Sequence, residues 1–222
     1  LYAKYENKSM DIITILVIGI TCLISFVGFE NRMLFDKYKF STYGILNLKQ
    51  IDRLLSSGFL HADLMHLLFN MFTLYVFSGT IIQQLGNLHY IIIYLVAILG
   101  GNLLTLWMYR RDMTYTAIGA SGGVSGIVFA TVALYPQMTL MIFPIPIPIY
   151  GWIYAILYLI YSVYSMRNSI GNIGHAAHLG GAVVGFIGAI ISSPQIIYTN
   201  GYFLALISIP LIGLAYFVYK EK

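Results

Sequence analysis

The chain has 222 residues; 59% are apolar, only 9% are Asp, Glu, Lys or Arg, and the mean hydropathy is +0.81. A soluble domain carries about 25% charge, so this supply excludes a fully water-facing surface and assigns much of the exterior to lipid. The net charge of +4 comes mostly from loops and ends, which fits lipid headgroups rather than nucleic acid, and the single cysteine, Cys22, excludes an internal disulfide.

Seven apolar stretches follow one another, at roughly 11–28, 62–82, 88–108, 117–135, 149–166, 174–192 and 202–219. Each is near the length that crosses a bilayer as helix, so the chain reads as an all-α polytopic membrane protein. The first stretch lacks the small-residue cleavage pattern of a removable signal and is read as a true span. Between the first two spans lies the one long connection, 29–61, which mixes Arg32, Lys39 and Arg53 with Phe35, Phe40 and Tyr43. That mixture predicts a loop resting in the membrane interface, against the plainer reading of a surface linker. The remaining connections are short. In 143–151, prolines alternate with isoleucine, which blocks helix and predicts an extended apolar turn. Trp107 and Trp152 lie near span ends, as interfacial belt residues do.

Polar side chains inside such spans are the informative positions, because each must find a partner in hydrocarbon. HADLMHLLFN opens the second span with His61, His66 and Asn70; GASGGVSG opens the fourth with Ser121 and Ser125; GHAAHLGG opens the sixth with His175 and His178. Spans two, four and six run in the same direction from the face carrying the long loop. Serine, histidine and asparagine from three stretches therefore fall in one layer, which reads as one site. Gly122 and Gly126 in the fourth span, and Gly181 and Gly185 in the sixth, have the spacing that lets helix backbones approach closely. If those faces meet, His178 is carried toward Ser121.

A serine hydroxyl needs a neighbouring base before it attacks an amide, and Ser121 with His178 supplies that minimum. No carboxylate lies in either span, so the pair would work as a dyad. Asn70, His66 and the backbone N–H of Ser121 are candidate donors for the oxyanion. His61 reads as an anchor for the top of the second span or the long loop, and His175 as structural or pocket-lining. Ser125 reads as a small packing residue bonded to the carbonyl four residues back.

Together HADLMHLLFN, GASGGVSGIVFA and AHLGG resemble the rhomboid intramembrane serine proteases. The likeness covers about residues 1–192, a six-helix core with the loop at 29–61, and leaves 193–222 as an additional C-terminal transmembrane helix and tail. It implies Ser121 as nucleophile and His178 as general base, with His66, Asn70 and the Ser121 backbone supporting the oxyanion. It also implies cleavage of single-span membrane proteins near the membrane surface, with no cofactor, no metal and no nucleic-acid partner. Two departures stand out: Ser125 occupies a slot that holds an aromatic ring in several members, and the Trp-Arg pair of some first loops is absent.

The resemblance further implies a cell-membrane protein with its site on the non-cytoplasmic side. The charge pattern opposes this, since ten of the twelve Lys and Arg residues fall on the loop face, which the positive-inside rule would turn to the cytoplasm. Because much of that charge sits in loop 29–61, the family orientation is preferred. Three rivals remain: a metalloprotease, which lacks an HExxH signature; a transporter or receptor, which lacks inverted repeats; and a catalytically inactive rhomboid-like binding or trafficking factor, which would have no need of both Ser121 and His178.

Overall fold

The computed structural model describes residues 11–142, 145–167 and 174–220. It is an all-α polytopic membrane protein. In chain order, α1 spans Ile12–Glu30, α2 Arg32–Tyr38, α3 Thr42–Leu46, α4 Arg53–Ser56, α5 Leu64–Leu85, α6 Asn87–Met108, α7 Ser121–Leu134, α8 Gly151–Arg167, α9 His175–Ser192 and α10 Ile196–Lys220. A 3-10 turn at Ser57–Phe59 follows α4. Two small antiparallel ladders complete the fold: β1 (Phe40–Ser41) with β2 (Thr116–Ala117), and β3 (Thr139–Ile142) with β4 (Ile145–Tyr150). Among the described residues, five helices are long and apolar enough to cross a bilayer, and two shorter apolar ones, Ser121–Leu134 and Gly151–Met166, lie among them.

Helix α7 is the axis of the bundle. Every residue from Gly122 to Leu134 is buried, and α5, α6, α8, α9 and α10 all pack on it. With 14 residues it rises only about 21 Å, short of a hydrocarbon core of about 30 Å. Its free C-terminal carbonyls are capped from outside the helix: Asn200 of α10 donates its side-chain amide to the carbonyls of Ala133 and Leu134 at 3.0 and 2.9 Å.

The glycine pairs determine how the bundle closes. Gly181 and Gly185 of α9 press directly on the backbones of Gly122 and Gly126 of α7, leaving no room for a side chain. The neighbouring face of α9 packs equally close on α6, where Gly100 and Gly101 meet Gly180 and the carbonyl of Ala177. Two small-residue faces thus wedge α9 between α6 and α7, which sets the rotation of His178. The α6 half of this wedge was not expected from the sequence.

Residues 31–60 fold back onto the bundle instead of running as a free linker. Arg53, almost fully buried, donates to the carbonyls of Asp36 and Lys39 at 2.9 and 2.8 Å and to Gln50 Oε1 at 2.7 Å. Phe40 and Ile45 are buried, whereas Met33 and Ile51 project outward.

Three expectations are corrected. The fourth helix begins at Ser121, not 117, because Thr116 and Ala117 pair with Ser41 and Phe40. The seventh begins at Ile196, not 202. The proline-laced segment is not merely an extended turn: its described part forms a hairpin, with Leu140 opposite Ile149 and Met141 opposite Pro148. Phe143 and Pro144 lie outside the described residues, as do Lys4 and Lys8.

Candidate active site

A cavity of about 570 Å³ opens where α5, α7 and α9 begin, and His66, Asn70, Ser121, Ser125 and His178 all line it. Three helices that start on the same face therefore contribute to one space. Tyr154 and Tyr158 of α8 complete its wall, together with the 115–119 segment. His61 and His175 are not part of the lining.

Ser121 is the first residue of α7, so its own N–H and the next two have no intrahelical acceptor. The turn before it depends on Gly119, whose φ of +122° is open to glycine and strained for other residues. A side chain there would also meet the His66 ring, 2.8 Å from Nε2, and would lie 3.7 Å from Ser121 Oγ. The His66 imidazole and the Ser121 hydroxyl are therefore both close to this one turn.

Hydrogen bonds orient the polar side chains of the lining. The Ala62 N–H points at Nδ1 of His66 across a long 3.5 Å, which leaves Nε2, the nitrogen near Gly119, as the N–H of a neutral ring. Asp63 caps α5 by accepting the His66 N–H at 2.8 Å. Asn70 donates one amide hydrogen to the His66 carbonyl at 3.0 Å, which fixes its side chain on the cavity wall.

Behind the lining, a second layer holds the turn. The Gly119 N–H donates to the Ser57 carbonyl at 3.0 Å, and Asn102 of α6 donates to the Ser57 hydroxyl at 3.0 Å and to the Leu54 carbonyl at 2.7 Å. The Ala120 N–H donates to Nε2 of His61 at 3.4 Å. His61 then carries its proton on Nδ1 and donates to Ser25 Oγ of α1 at 2.8 Å, while the Ser25 hydroxyl donates to the Phe59 carbonyl at 2.9 Å. Burial pushes the His61 imidazole down to about 3; His66 acts in the same direction and Asp63 against it. His61 thus anchors the residue next to Ser121, a more specific task than steadying the top of a span.

Ser125 differs from expectation. Its hydroxyl lies 3.3 Å from the Tyr158 hydroxyl, so it links α7 to α8 instead of turning back on its own helix. Tyr158 in turn packs against Phe129 and Tyr154, with ring centroids 5.6 and 5.7 Å apart. His175 is buried with its ring edge-on to Tyr161 at 5.8 Å and 6.3 Å from the His178 ring. Ser25, Asn102 and Tyr158 were missed in the sequence. The available signal was a polar group inside each apolar span, the same signal that singles out Ser121 and His178. Among the described residues, no three His, Cys, Asp or Glu side chains come together in a metal-holding arrangement.

Compared with known proteins, residues 48–195 match the family model described as Rhomboid domain. The chain is 26% identical over 137 residues to a mitochondrial rhomboid protein 1 of Saccharomyces cerevisiae, covering 60% of this chain and 40% of that protein. It is 30% identical over 154 residues to the mitochondrial RHOMBOID-like protein 12 of Arabidopsis thaliana, covering 62% and 45%. A putative rhomboid protease of Bacillus subtilis is 31% identical over 75 residues, covering 34% and 37%. The chain thus spans less than half the length of each of these relatives.

Proposed function

This chain belongs to the rhomboid family, and from that membership and the cavity we propose that it is an intramembrane serine endopeptidase. One observation carries the reading: Ser121, His178, His66 and Asn70, from three helices, line a single cavity at the end of the bundle where those helices begin. In the proposed reaction His178 accepts the Ser121 proton as Oγ attacks the peptide carbonyl. His66, Asn70 and the Ser121 N–H donate to the resulting oxyanion. The protonated His178 passes its proton to the leaving amine, and water then hydrolyses the acyl-enzyme with His178 again as base. No cofactor enters these steps.

The substrates in this reading are single-span membrane proteins that unwind near the cavity mouth. Residues 1–192 form the proteolytic core and 193–222 add one helix and a tail. The protein is a multi-pass integral membrane protein; we assign it to the cell membrane with the cavity on the non-cytoplasmic side, despite the charge on the loop face.

A fluorophosphonate probe tests the assignment in the full chain reconstituted with lipid. Label mapped to Ser121, lost in Ser121→Ala and His178→Ala, together with cleavage of a single-span reporter by the unaltered protein alone, is the expected result. Label on Ser125, or no label on a folded protein, would move the reading to a different nucleophile or to an inactive rhomboid-like binding factor.

A further inference from the structure

We propose that the β3–β4 hairpin, between α7 and α8 on the face opposite the cavity, is seated in the lipid interface, with Met141, Ile147 and Tyr150 toward the acyl chains. This inference does not depend on protease activity. Exposure raises the question: Met141, Ile147 and Tyr150 are 76, 62 and 53% exposed on a two-stranded sheet. The register puts Met141 and Tyr150 on one face of the ribbon and Ile147 on the other, so both faces carry exposed apolar side chains. In water such a hairpin is marginal, and apolar surface of this kind marks one that something covers.

Four observations point to lipid as the cover. No Asp, Glu, Lys or Arg occurs between Asp112 and Arg167, so the hairpin, α7 and α8 as far as Met166 lack the charges that mark a water-facing connection. Helix α7 is too short to reach both surfaces of the hydrocarbon core, so the chain leaving it at Leu134 is still at or near a low-dielectric layer. Backbone polar groups there must be paired, and a ladder pairs them. Pro146 and Pro148 lie on β4, an edge strand, and neither nitrogen carries a hydrogen, so that strand presents fewer unpaired donors to its surroundings.

Finally, the hairpin is continuous with the lipid-facing bundle. The Gly151 N–H donates to the Met138 carbonyl at 2.8 Å and the Trp152 N–H to the Pro136 carbonyl at 3.0 Å, fastening the strand ends to the start of α8. The outer surface of α8 then continues in exposed Leu157, Ile160 and Tyr164. Tyr150 and Trp152 stand at the junction, where amphipathic rings favour the headgroup level.

The test uses the full chain with Cys22→Ser and a single new cysteine, Met141→Cys or Ile147→Cys, labelled with an environment-sensitive fluorophore in phosphatidylcholine–phosphatidylglycerol vesicles. Asn87→Cys, at the exposed turn on the same face, is the aqueous comparison. Blue-shifted emission is expected at Met141 and Ile147, with several-fold stronger quenching by acyl-chain nitroxides and several-fold weaker quenching by iodide than at Asn87. Emission and quenching that match Asn87 would overturn the proposal by putting the hairpin in water. Protection from both quenchers would overturn it in favour of a second copy or another protein on this face. Tyr150→Cys provides a third site with the same readouts should either variant fail to fold.

Discussion

The amide of Ala120 donates to Nε2 of His61 at 3.4 Å, so a buried imidazole holds the residue that precedes Ser121. That bond needs a neutral ring. His61 titrates near 6.5 when free and at about 3 in the fold, so between those values the unfolded chain binds the extra proton. The stabilising contribution is complete above about pH 6.5 and falls away as pH drops toward the folded value. Thermal unfolding in micelles should therefore show Tm decreasing below about pH 6.5. His61→Gln, which can accept from Ala120 and donate to Ser25 but does not titrate, should flatten part of that slope. Equal slopes in the two proteins would remove His61 as a source of the pH dependence.

Gly119 carries two constraints, a φ of +122° and the His66 ring 2.8 Å from where a side chain would begin. Gly119→Ala should cost about 1–3 kcal/mol in backbone strain. It should also displace His66 from the Ser121 turn. Fluorophosphonate labelling of Ser121 should slow by about tenfold or more, a loss of about 1.4 kcal/mol or more at the transition state. Labelling at the original rate would mean that the turn tolerates a side chain and that His66 placement does not govern Ser121.

Much of this was legible in the sequence, and the misses have physical causes. Apolar runs made the five long helices and the two shorter apolar ones visible, and the four-residue spacing of Gly122 with Gly126 and of Gly181 with Gly185 anticipated the α7–α9 contact. The start of α7 was placed four residues too early because hydropathy cannot register the pairing of Thr116 and Ala117 with Ser41 and Phe40, which lie in a distant part of the chain. Ser25 and Asn102 were overlooked for a related reason. Each is a polar residue in a largely apolar span, and its partners at His61 and Ser57 come from distant segments.

Steric room separates glycines of the same composition. Gly185 presses on the Gly126 backbone, whereas nothing lies within 4 Å of the side-chain position at Gly79. Gly185→Val should reduce folded yield and lower stability by at least about 1–3 kcal/mol, the usual range for overpacking. Gly79→Val should leave both nearly unchanged. Gel filtration and thermal unfolding of the two purified variants decide the matter, and similar behaviour would remove close α7–α9 approach as the reason for glycine.

Arg53 ties residues 36–50 together through three acceptors: the Asp36 and Lys39 carbonyls and Gln50 Oε1. Arg53→Ala should cost about 1.5–3 kcal/mol or more, the worth of at least one charge-assisted bond. Cleavage of the 36–50 segment by an added protease should accelerate. Arg53→Lys should not rescue it, because an ammonium cannot reproduce the planar fork. Unchanged cleavage in both variants would show that other contacts, such as β1–β2 pairing and the Ser56 bond to the Tyr38 carbonyl, hold the loop without Arg53.

Asn70 separates a catalytic contribution from a packing one. Its amide donates to the His66 carbonyl at 3.0 Å, and it also lines the cavity with Ser121. If it supports the oxyanion, Asn70→Ala should lower kcat on a single-span reporter by about 2–4 kcal/mol of transition-state stabilisation, with little change in KM. A purely structural role predicts a different pattern: reduced Tm, with the turnover of the remaining folded enzyme intact. Asn70→Asp sharpens the distinction, since a carboxylate fills nearly the same volume but would repel the developing negative charge. Loss of turnover in both variants at a near-native Tm is therefore the expected outcome, and full turnover in either would take Asn70 out of the oxyanion site.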